Sequence, residues 1–214
     1  MGTIYKGGIV VPIIQTLLFT IIALSIERYF ALRSAFGKGP LVKFVADIKA
    51  ALSASDMRKA KELCDKQGGS VANVVLAALK KYEDVENDHT LSKDQKILAI
   101  QKELDEATAL ELPMMEQNLP IIATITTLGT LMGLLGTVLG MIRSFAALSN
   151  GGGTDSIALS QGISEALINT AFGILTGALA VIAYNYYTNK IDKLTYSLDE
   201  VGFSIIQTFA TTHR

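Results

Sequence analysis

Two hydroxyl groups and one carboxyl group are the polar groups in or beside the apolar segments of the second half of this chain whose spacing could do chemistry. Thr137 lies in GLLGTVLGM, and Glu165 and Thr170 lie in QGISEALINTAFG. Charge at the centre of a lipid bilayer is costly, so a carboxyl group within a membrane helix is a functional hypothesis by default. Such a group can accept and release protons, or it can bond to a neighbouring helix. These three residues are therefore our first candidates for chemistry.

The two threonines admit two interpretations. A threonine in a membrane helix commonly bonds back to a carbonyl of the preceding turn, and each residue alone needs no further explanation. However, Thr137 and Thr170 lie at similar chain distances from Gly152, which is in the Gly-rich segment between their two apolar runs. At about 1.5 Å of rise per residue, their depths differ by only about 5 Å. Two antiparallel helices would then present both hydroxyls in one layer.

The position of Glu165 in the membrane depends on where the third apolar helix begins. If this helix begins after Glu165, the carboxyl group marks only the outer edge of the membrane. If it begins near Ser156, Glu165 lies more than two turns inside the helix. Asn169, one turn further on, continues the polar stripe and favours this second alternative. We interpret Arg143 as a side chain that extends to the outer membrane interface.

Glycines recur at helical spacing in the same two apolar segments. In the first segment they follow one another at intervals of four, three and four residues, which places them along one stripe of a helix. Small residues in such a stripe let neighbouring helices approach closely in lipid. We therefore predict a tight helix hairpin packed through Gly129, Gly133, Gly136, Gly140, Gly173 and Gly177.

Three charge-free segments are each long enough to cross a membrane as a helix. They are Gly7 to Ile26, Gln117 to Ile142 and Ala166 to Asn189. A signal peptide is the alternative for the first segment, but no A-x-A-like cleavage site follows it. Basic residues follow the first and third segments, which predicts an external N terminus and a cytosolic C terminus. These residues are Arg28, Arg33, Lys38, Lys43, Lys190 and Lys193.

The predicted fold is an all-α integral membrane protein with three transmembrane helices, whose long helices extend into a helical cytosolic domain. Residues 1–30 form the external N terminus and the first transmembrane helix, and residues 31–116 form the cytosolic domain. The second transmembrane helix covers 117–149, an external turn covers 150–156, and the third helix covers 157–189. A cytosolic C-terminal helix covers 190–214.

Two apolar stripes predict helix packing beside the membrane segments. The first includes Ile97, Ile100, Leu104, Ala107 and Leu110, on a helix that we expect to run on into the second membrane segment with kinks at its prolines. The second stripe continues the third membrane helix and includes Ile191, Leu194, Leu198, Val201, Ile205 and Phe209.

Composition and motifs exclude several classes of function. The net charge is -1 and both signs are mixed, so we expect no binding of nucleic acid. Cys64 is the only cysteine, which excludes an internal disulfide and suggests a buried, inert thiol. His89 and His213 lie far apart, so we expect no metal site. We find no Walker, Rossmann or Ser/His/Asp pattern, and we predict no enzyme activity and no cofactor.

Two long segments carry a resemblance to a known family. LGTLMGLLGTVLGMIRSF, followed by QGISEALINTAFGILTGALAVIAYNYY, resembles the paired membrane segments of the MotA/TolQ/ExbB proton-channel family, with ExbB and TolQ as the nearest branches. Thr137 and Thr170 match the pore threonines of the family, and Glu165 matches its conserved glutamate. Leu139 departs from the tryptophan of many ExbB and TolQ sequences.

The resemblance implies an assembly in the bacterial inner membrane. Members of the family form a homo-oligomeric ring, a pentamer in the well-described cases. The ring surrounds the helices of a single-span ExbD- or TolR-like partner. Protons pass an aspartate of that partner, and the resulting movement is passed to TonB or TolA. The expected function is an ExbB-like motor subunit that energises TonB-dependent transport. The alternatives are a TolQ-like or stator-like subunit and a passive membrane scaffold.

Overall fold

The computed structural model describes residues 8–88, 90–150 and 156–212, and all regular structure in these ranges is helical. Three helical stretches, within Val10–Ser53, Lys93–Ser149 and Ser156–Thr212, are long and apolar enough to cross a membrane. The prediction of an all-helical chain with three candidate spans is confirmed. In chain order the helices are α1 (Val10–Phe36), α2 (Leu41–Ser53), α3 (Met57–Gln67), α4 (Gly69–Glu86), α5 (Lys93–Glu116), α6 (Leu119–Asn150) and α7 (Ser156–Thr212).

Parts of the sequence predictions fall outside the described residues. The predicted external turn at 150–156 lies almost entirely there, as do His89 and His213. Helix α7 begins at Ser156 and is continuous to Thr212. The helix start near Ser156 was the second of the two alternatives for the surroundings of Glu165.

The chain divides into two compact units. Unit 1 contains residues 1–28 and 118–187, and unit 2 contains residues 29–117 and 188–214. In unit 1, large apolar side chains such as Leu134, Val138 and Phe145 are exposed along the helices. Water solvates such a surface poorly, whereas lipid or another apolar helix covers it well. The surface of unit 1 is thus suited to a membrane.

The junction of α5 and α6 differs from the expected continuous helix. Pro113 lies inside α5, and Pro120 lies in the first turn of α6, where its missing N–H group is not needed. The interruption falls between them, because Asn118 has a φ of 66°, which an α-helix does not accommodate. The two prolines therefore flank the break instead of kinking a single helix.

Unit 2 has a well-packed core formed by α2, α3, α4 and parts of the longer helices. The C-terminal apolar stripe is buried as predicted: Ile191, Leu194, Leu198, Val201, Ile205 and Phe209. The stripe on α5 is buried only in part, because Ile100 is fully covered while Leu110 is 76% exposed. The ring of Phe209 packs edge-on against Tyr82 of α4, at a centroid distance of 4.8 Å.

Local capping explains where two helices of unit 2 begin. Asp56 accepts a hydrogen bond from the backbone N–H of Lys59 at 2.9 Å and so caps α3. At the start of α5, Ser92 and Gln95 form a reciprocal capping box.

Cys64, on α3, is buried as expected, and this burial raises the pKa of its thiol to about 12. The thiol is therefore protonated and inert near neutral pH.

Candidate functional site

The two threonines meet across the α6–α7 hairpin. The hydroxyl oxygens of Thr137 and Thr170 are in hydrogen-bonding contact. Each hydroxyl also lies 3.2 Å from a carbonyl one turn earlier on its own helix, Gly133 for Thr137 and Ala166 for Thr170. Back-bonding and pairing across the helices, the two interpretations of the sequence, therefore occur together.

This threonine pair has more acceptors than protons. Each hydroxyl carries one proton, whereas the geometry offers three hydrogen bonds: two to carbonyls and one between the hydroxyls. Only two of these bonds can form at once. The alternatives differ by rotation of an O–H bond, without movement of the backbone. The pair can therefore reverse the direction of its hydrogen bond, which is a step that any hydroxyl-based proton relay requires.

Glycines bring the two helices close enough for this pair to form. A Cβ atom on Gly173 would lie 2.5 Å from the Cα atom of Gly133, and one on Gly177 would lie 2.9 Å from the carbonyl oxygen of Thr126. Because these neighbours are backbone atoms, they cannot move aside as a flexible side chain would. All six glycines of the predicted stripe face the other helix of the hairpin: Gly129, Gly133, Gly136, Gly140, Gly173 and Gly177.

Asn169 is a polar residue of the hairpin that the sequence analysis did not include among the site residues. Its side chain is completely buried, and neither its amide nitrogen nor its amide oxygen has a hydrogen-bond partner among the described residues. Gly136 makes room for it, since a Cβ atom there would lie 2.4 Å from the Cβ of Asn169. An unpaired buried polar group costs about 1–3 kcal/mol. The indication in the sequence was an asparagine in an apolar helix, directly before Thr170.

Glu165 pairs with Arg143, not with either threonine. The guanidinium Nη1 of Arg143 donates to Glu165 Oε1 at 2.6 Å. The Glu165 side chain is 13% exposed and that of Arg143 is 54% exposed. Our interpretation of Arg143 as a side chain that only reaches the interface missed this ion pair. Its detection from sequence would have required the relative register of α6 and α7.

The turn before α1 contacts the same ion pair. Gly8 has a φ of 66°, a conformation that favours glycine, and a Cβ atom there would lie 1.7 Å from Glu165 Oε1. The same atom would lie 2.9 Å from Nη1 of Arg143. Only glycine fits this position without displacing the ion pair. Residues of α6, α7 and the turn before α1 therefore meet around Glu165.

The described residues contain no cluster of side chains suited to binding a metal ion. No group of three or more His, Cys, Asp or Glu side chains within 8–88, 90–150 and 156–212 is arranged to hold a metal ion. The candidate site in the α6–α7 hairpin consists of hydroxyl, amide and ion-pair groups.

Comparison with known proteins places this geometry in a family. The model of the MotA/TolQ/ExbB proton channel family matches residues 69–200, more than half of the chain. The chain belongs to this family. The matched segment contains the threonine pair, Asn169 and the Arg143–Glu165 ion pair, whereas Gly8 precedes it. As a member of a proton channel family with three apolar helices, the chain is a multi-pass membrane protein.

Relatives from both the TolQ and the ExbB branches match the chain. The Tol-Pal system protein TolQ of Pseudomonas aeruginosa is 27% identical over 85% of this chain and 81% of its own length. TolQ of Haemophilus influenzae is 35% identical over 44% of this chain and 46% of its own length. The biopolymer transport protein ExbB of Salmonella typhimurium is 32% identical over 40% of this chain and 35% of its own length. The chain therefore spans less than half the length of the latter two relatives.

Proposed function

We propose that the chain is a subunit of an ExbB–ExbD-type motor in the bacterial inner membrane, driven by the proton-motive force. In this proposal it conducts protons together with a single-span partner and energises TonB-dependent transport across the outer membrane. The observation that carries the proposal is the Thr137–Thr170 hydroxyl pair, in a chain of a proton channel family.

The proposed mechanism assigns separate tasks to the polar groups of unit 1. The subunits form a ring, a pentamer by resemblance, around the partner's membrane helices, with the N terminus outside and the C terminus in the cytosol. When the partner's carboxylate is ionised, Thr137 and Thr170 donate hydrogen bonds to it and order the water through which protons move. Glu165, held by Arg143, acts at the end of this proton pathway, in assembly or rotation.

A TolQ-like role in envelope maintenance is the second candidate. It is supported by the match to Pseudomonas aeruginosa TolQ, which covers far more of this chain than the match to Salmonella typhimurium ExbB. The two roles differ in the client protein, since one motor acts on a TonB-like protein and the other on a TolA-like protein. Co-purification from cells that contain both clients separates them.

Removal of either hydroxyl tests the proton pathway. We expect Thr137→Val and Thr170→Val to abolish proton flux and energy transduction and to leave the complex assembled. Valine has almost the same shape as threonine but cannot donate a hydrogen bond to the partner's carboxylate. The measurement is proton flux into liposomes that contain the chain and its single-span partner, together with a purification assay of the complex.

Thr124→Val is the matched control, because Thr124 also bonds back to a carbonyl of α6 but is exposed and bonds to no other hydroxyl among the described residues. We expect normal flux in this variant. Normal flux in both Thr137→Val and Thr170→Val would contradict the proposed pathway. A wild-type complex whose flux does not depend on the partner's aspartate would favour the passive scaffold instead.

A further inference from the structure

Four basic side chains surround the loop between α1 and α2 in unit 2. They line two adjoining open clefts of about 420 and 650 Å³ that share Lys38 and Gln67. We call the two together the basic cleft. Its cationic lining residues are Arg33, Lys38, Lys43 and Lys66.

The charge of the basic cleft is largely uncompensated. Within the part of the chain that the structure describes, none of its four cationic side chains has an ion-pair partner. Asp47 is the acidic residue of the lining. Four positive charges against one negative charge leave a strong attraction for an anion.

The start of α2 adds backbone donors to these charges. Pro40 occupies the N-cap without a side-chain hydrogen bond, and the first turn of α2 contains no acidic residue. The N–H groups of this turn are therefore open, and they carry the positive end of the helix dipole. Pro40 and Lys43 both line the cleft, so side-chain and backbone donors serve the same space.

The loop that forms the basic cleft is braced before any ligand binds. The side-chain amide of Gln67 donates to the carbonyl oxygens of Phe36 and Gly39 at 2.8 and 3.0 Å. The backbone N–H of Lys38 donates to the carbonyl oxygen of Gln67 at 2.8 Å. Gly37 has a φ of 78°, and a Cβ atom there would lie 2.3 Å from the Gly68 carbonyl oxygen. Preorganisation of this kind reduces the entropy lost on binding.

Exposed apolar side chains of the cleft and of the first turn of α2 indicate the kind of anion. Phe30 lines the cleft and is 64% exposed, and Val42, in the first turn of α2, is 83% exposed. Arg33 lies two turns of α1 past Ile26, which ends the charge-free segment, or about 10 Å along the helix. The headgroup layer extends about 5–8 Å beyond the hydrocarbon core, and the long side chain of Arg33 can reach back to it. A free phosphate ion would make no use of Phe30 and Val42, whereas a lipid would cover them.

We propose that the basic cleft binds the phosphate headgroups of anionic phospholipids at the end of the first membrane span. Arg33, Lys38, Lys43 and Lys66 contact the headgroup together with the start of α2, and Phe30 and Val42 contact the acyl chains. This site does not depend on proton conduction, since no residue of the threonine pair contributes to it.

The test is titration of the delipidated full-length protein in detergent with phosphatidylglycerol, with bound lipid counted by mass spectrometry. Near a membrane surface each lysine or arginine contributes about fivefold to binding of anionic lipid. Four such factors multiply to about 600, so we expect the combined variant Arg33→Gln, Lys38→Gln, Lys43→Gln and Lys66→Gln to bind several hundredfold more weakly. Thermal unfolding of each variant confirms that it is folded.

The matched control removes the same charge elsewhere in unit 2, by glutamine substitution of Arg58, Lys59, Lys80 and Lys102. These side chains are exposed and lie outside the basic cleft. We expect this control to bind like the wild type, and phosphatidylcholine to bind to neither protein. An equal loss in the control would overturn the site, and binding of inorganic phosphate alone as tight as that of phosphatidylglycerol would overturn the lipid assignment. If the cleft variant unfolds, charge-preserving Lys→Arg substitutions at its three lysines must retain binding.

Discussion

The ion pair of Arg143 and Glu165 connects two helices through opposite charges of very different exposure. The carboxylate is mostly covered, whereas the guanidinium is about half exposed. Solvent screens such a pair less than it screens a surface pair but more than a buried one. Removal of either charge would leave the other one unpaired at an apolar surface. The two residues therefore act as a unit.

A double-mutant cycle measures this coupling. We expect Arg143→Gln and Glu165→Gln each to destabilise the protein, and the double variant to be less destabilised than the sum by about 1–2 kcal/mol, between the values typical of exposed and buried pairs. The measurement is the free energy of unfolding of each purified variant in detergent. Effects that add within about 0.3 kcal/mol would show that the residues do not interact.

The arrangement of the threonine pair was more predictable from the sequence than that of the other site residues. Helical rise alone placed Thr137 and Thr170 at one depth, and the structure joins their hydroxyls. Asn169 and Arg143 were visible as polar residues, but their surroundings depend on the register of α6 against α7. That register is a tertiary property, because close packing of glycines against backbone atoms of the other helix sets it.

At the scale of elements, the α6–α7 hairpin is defined by contacts that allow no side chain. Gly173 has the closest backbone neighbour of the hairpin glycines, because a Cβ atom there would approach the Cα of Gly133 and the carbonyl oxygen of Gly129. Neither neighbour can rotate away. The distance between the helices, and with it the threonine pair, therefore depends on this glycine.

Gly173→Ala tests the hairpin. We expect a loss of about 1–3 kcal/mol in the free energy of unfolding, because overpacking forces the helices apart. Thermal unfolding in detergent measures the loss. Ala171→Val serves as the control, because Ala171 is exposed on the same helix, and its variant should unfold like the wild type. Equal stability of Gly173→Ala and the wild type would contradict the close approach of the helices.

Helix boundaries were predicted less well than helix packing. The C-terminal apolar stripe was correct because a helical period specifies one face directly. The break between α5 and α6 was missed because it lies at Gln117 and Asn118, between two prolines that each suggested a kink. Burial of Leu110 was predicted from the stripe on α5, but this residue is exposed. An apolar residue in register with a stripe is buried only where a neighbouring helix covers it.

At the scale of the whole molecule, the chain forms two compact units that distribute their apolar residues differently. Unit 1 exposes apolar side chains and buries a few polar ones, whereas unit 2 has an apolar core like that of a water-soluble domain. The division follows the charge distribution of the sequence, which concentrates charged residues outside the three apolar segments. This is why fold class was predictable from sequence without any pairwise contact.

Cys64 provides a probe for the opening of unit 2. Burial raises the pKa of its thiol from 9.0 to about 12, so near neutral pH it holds about a thousandfold less thiolate than an exposed cysteine. We expect negligible modification by N-ethylmaleimide at pH 7–8 in the folded protein, and rapid modification after unfolding in denaturant. Ser53→Cys in a Cys64→Ala background should react quickly, because residue 53 is exposed. Rapid labelling of native Cys64 would show that unit 2 opens readily.

The unpaired amide of Asn169 sets up a conflict for anyone who engineers this protein. Replacement of an unsatisfied buried polar group by an apolar one of similar shape is among the simplest ways to gain stability. The position where this gain is easiest to obtain lies directly beside Thr170 and against Gly136, in the hairpin proposed to conduct protons. Selection for heat resistance would therefore favour replacement of Asn169 by an apolar residue, whereas selection for activity would favour its retention.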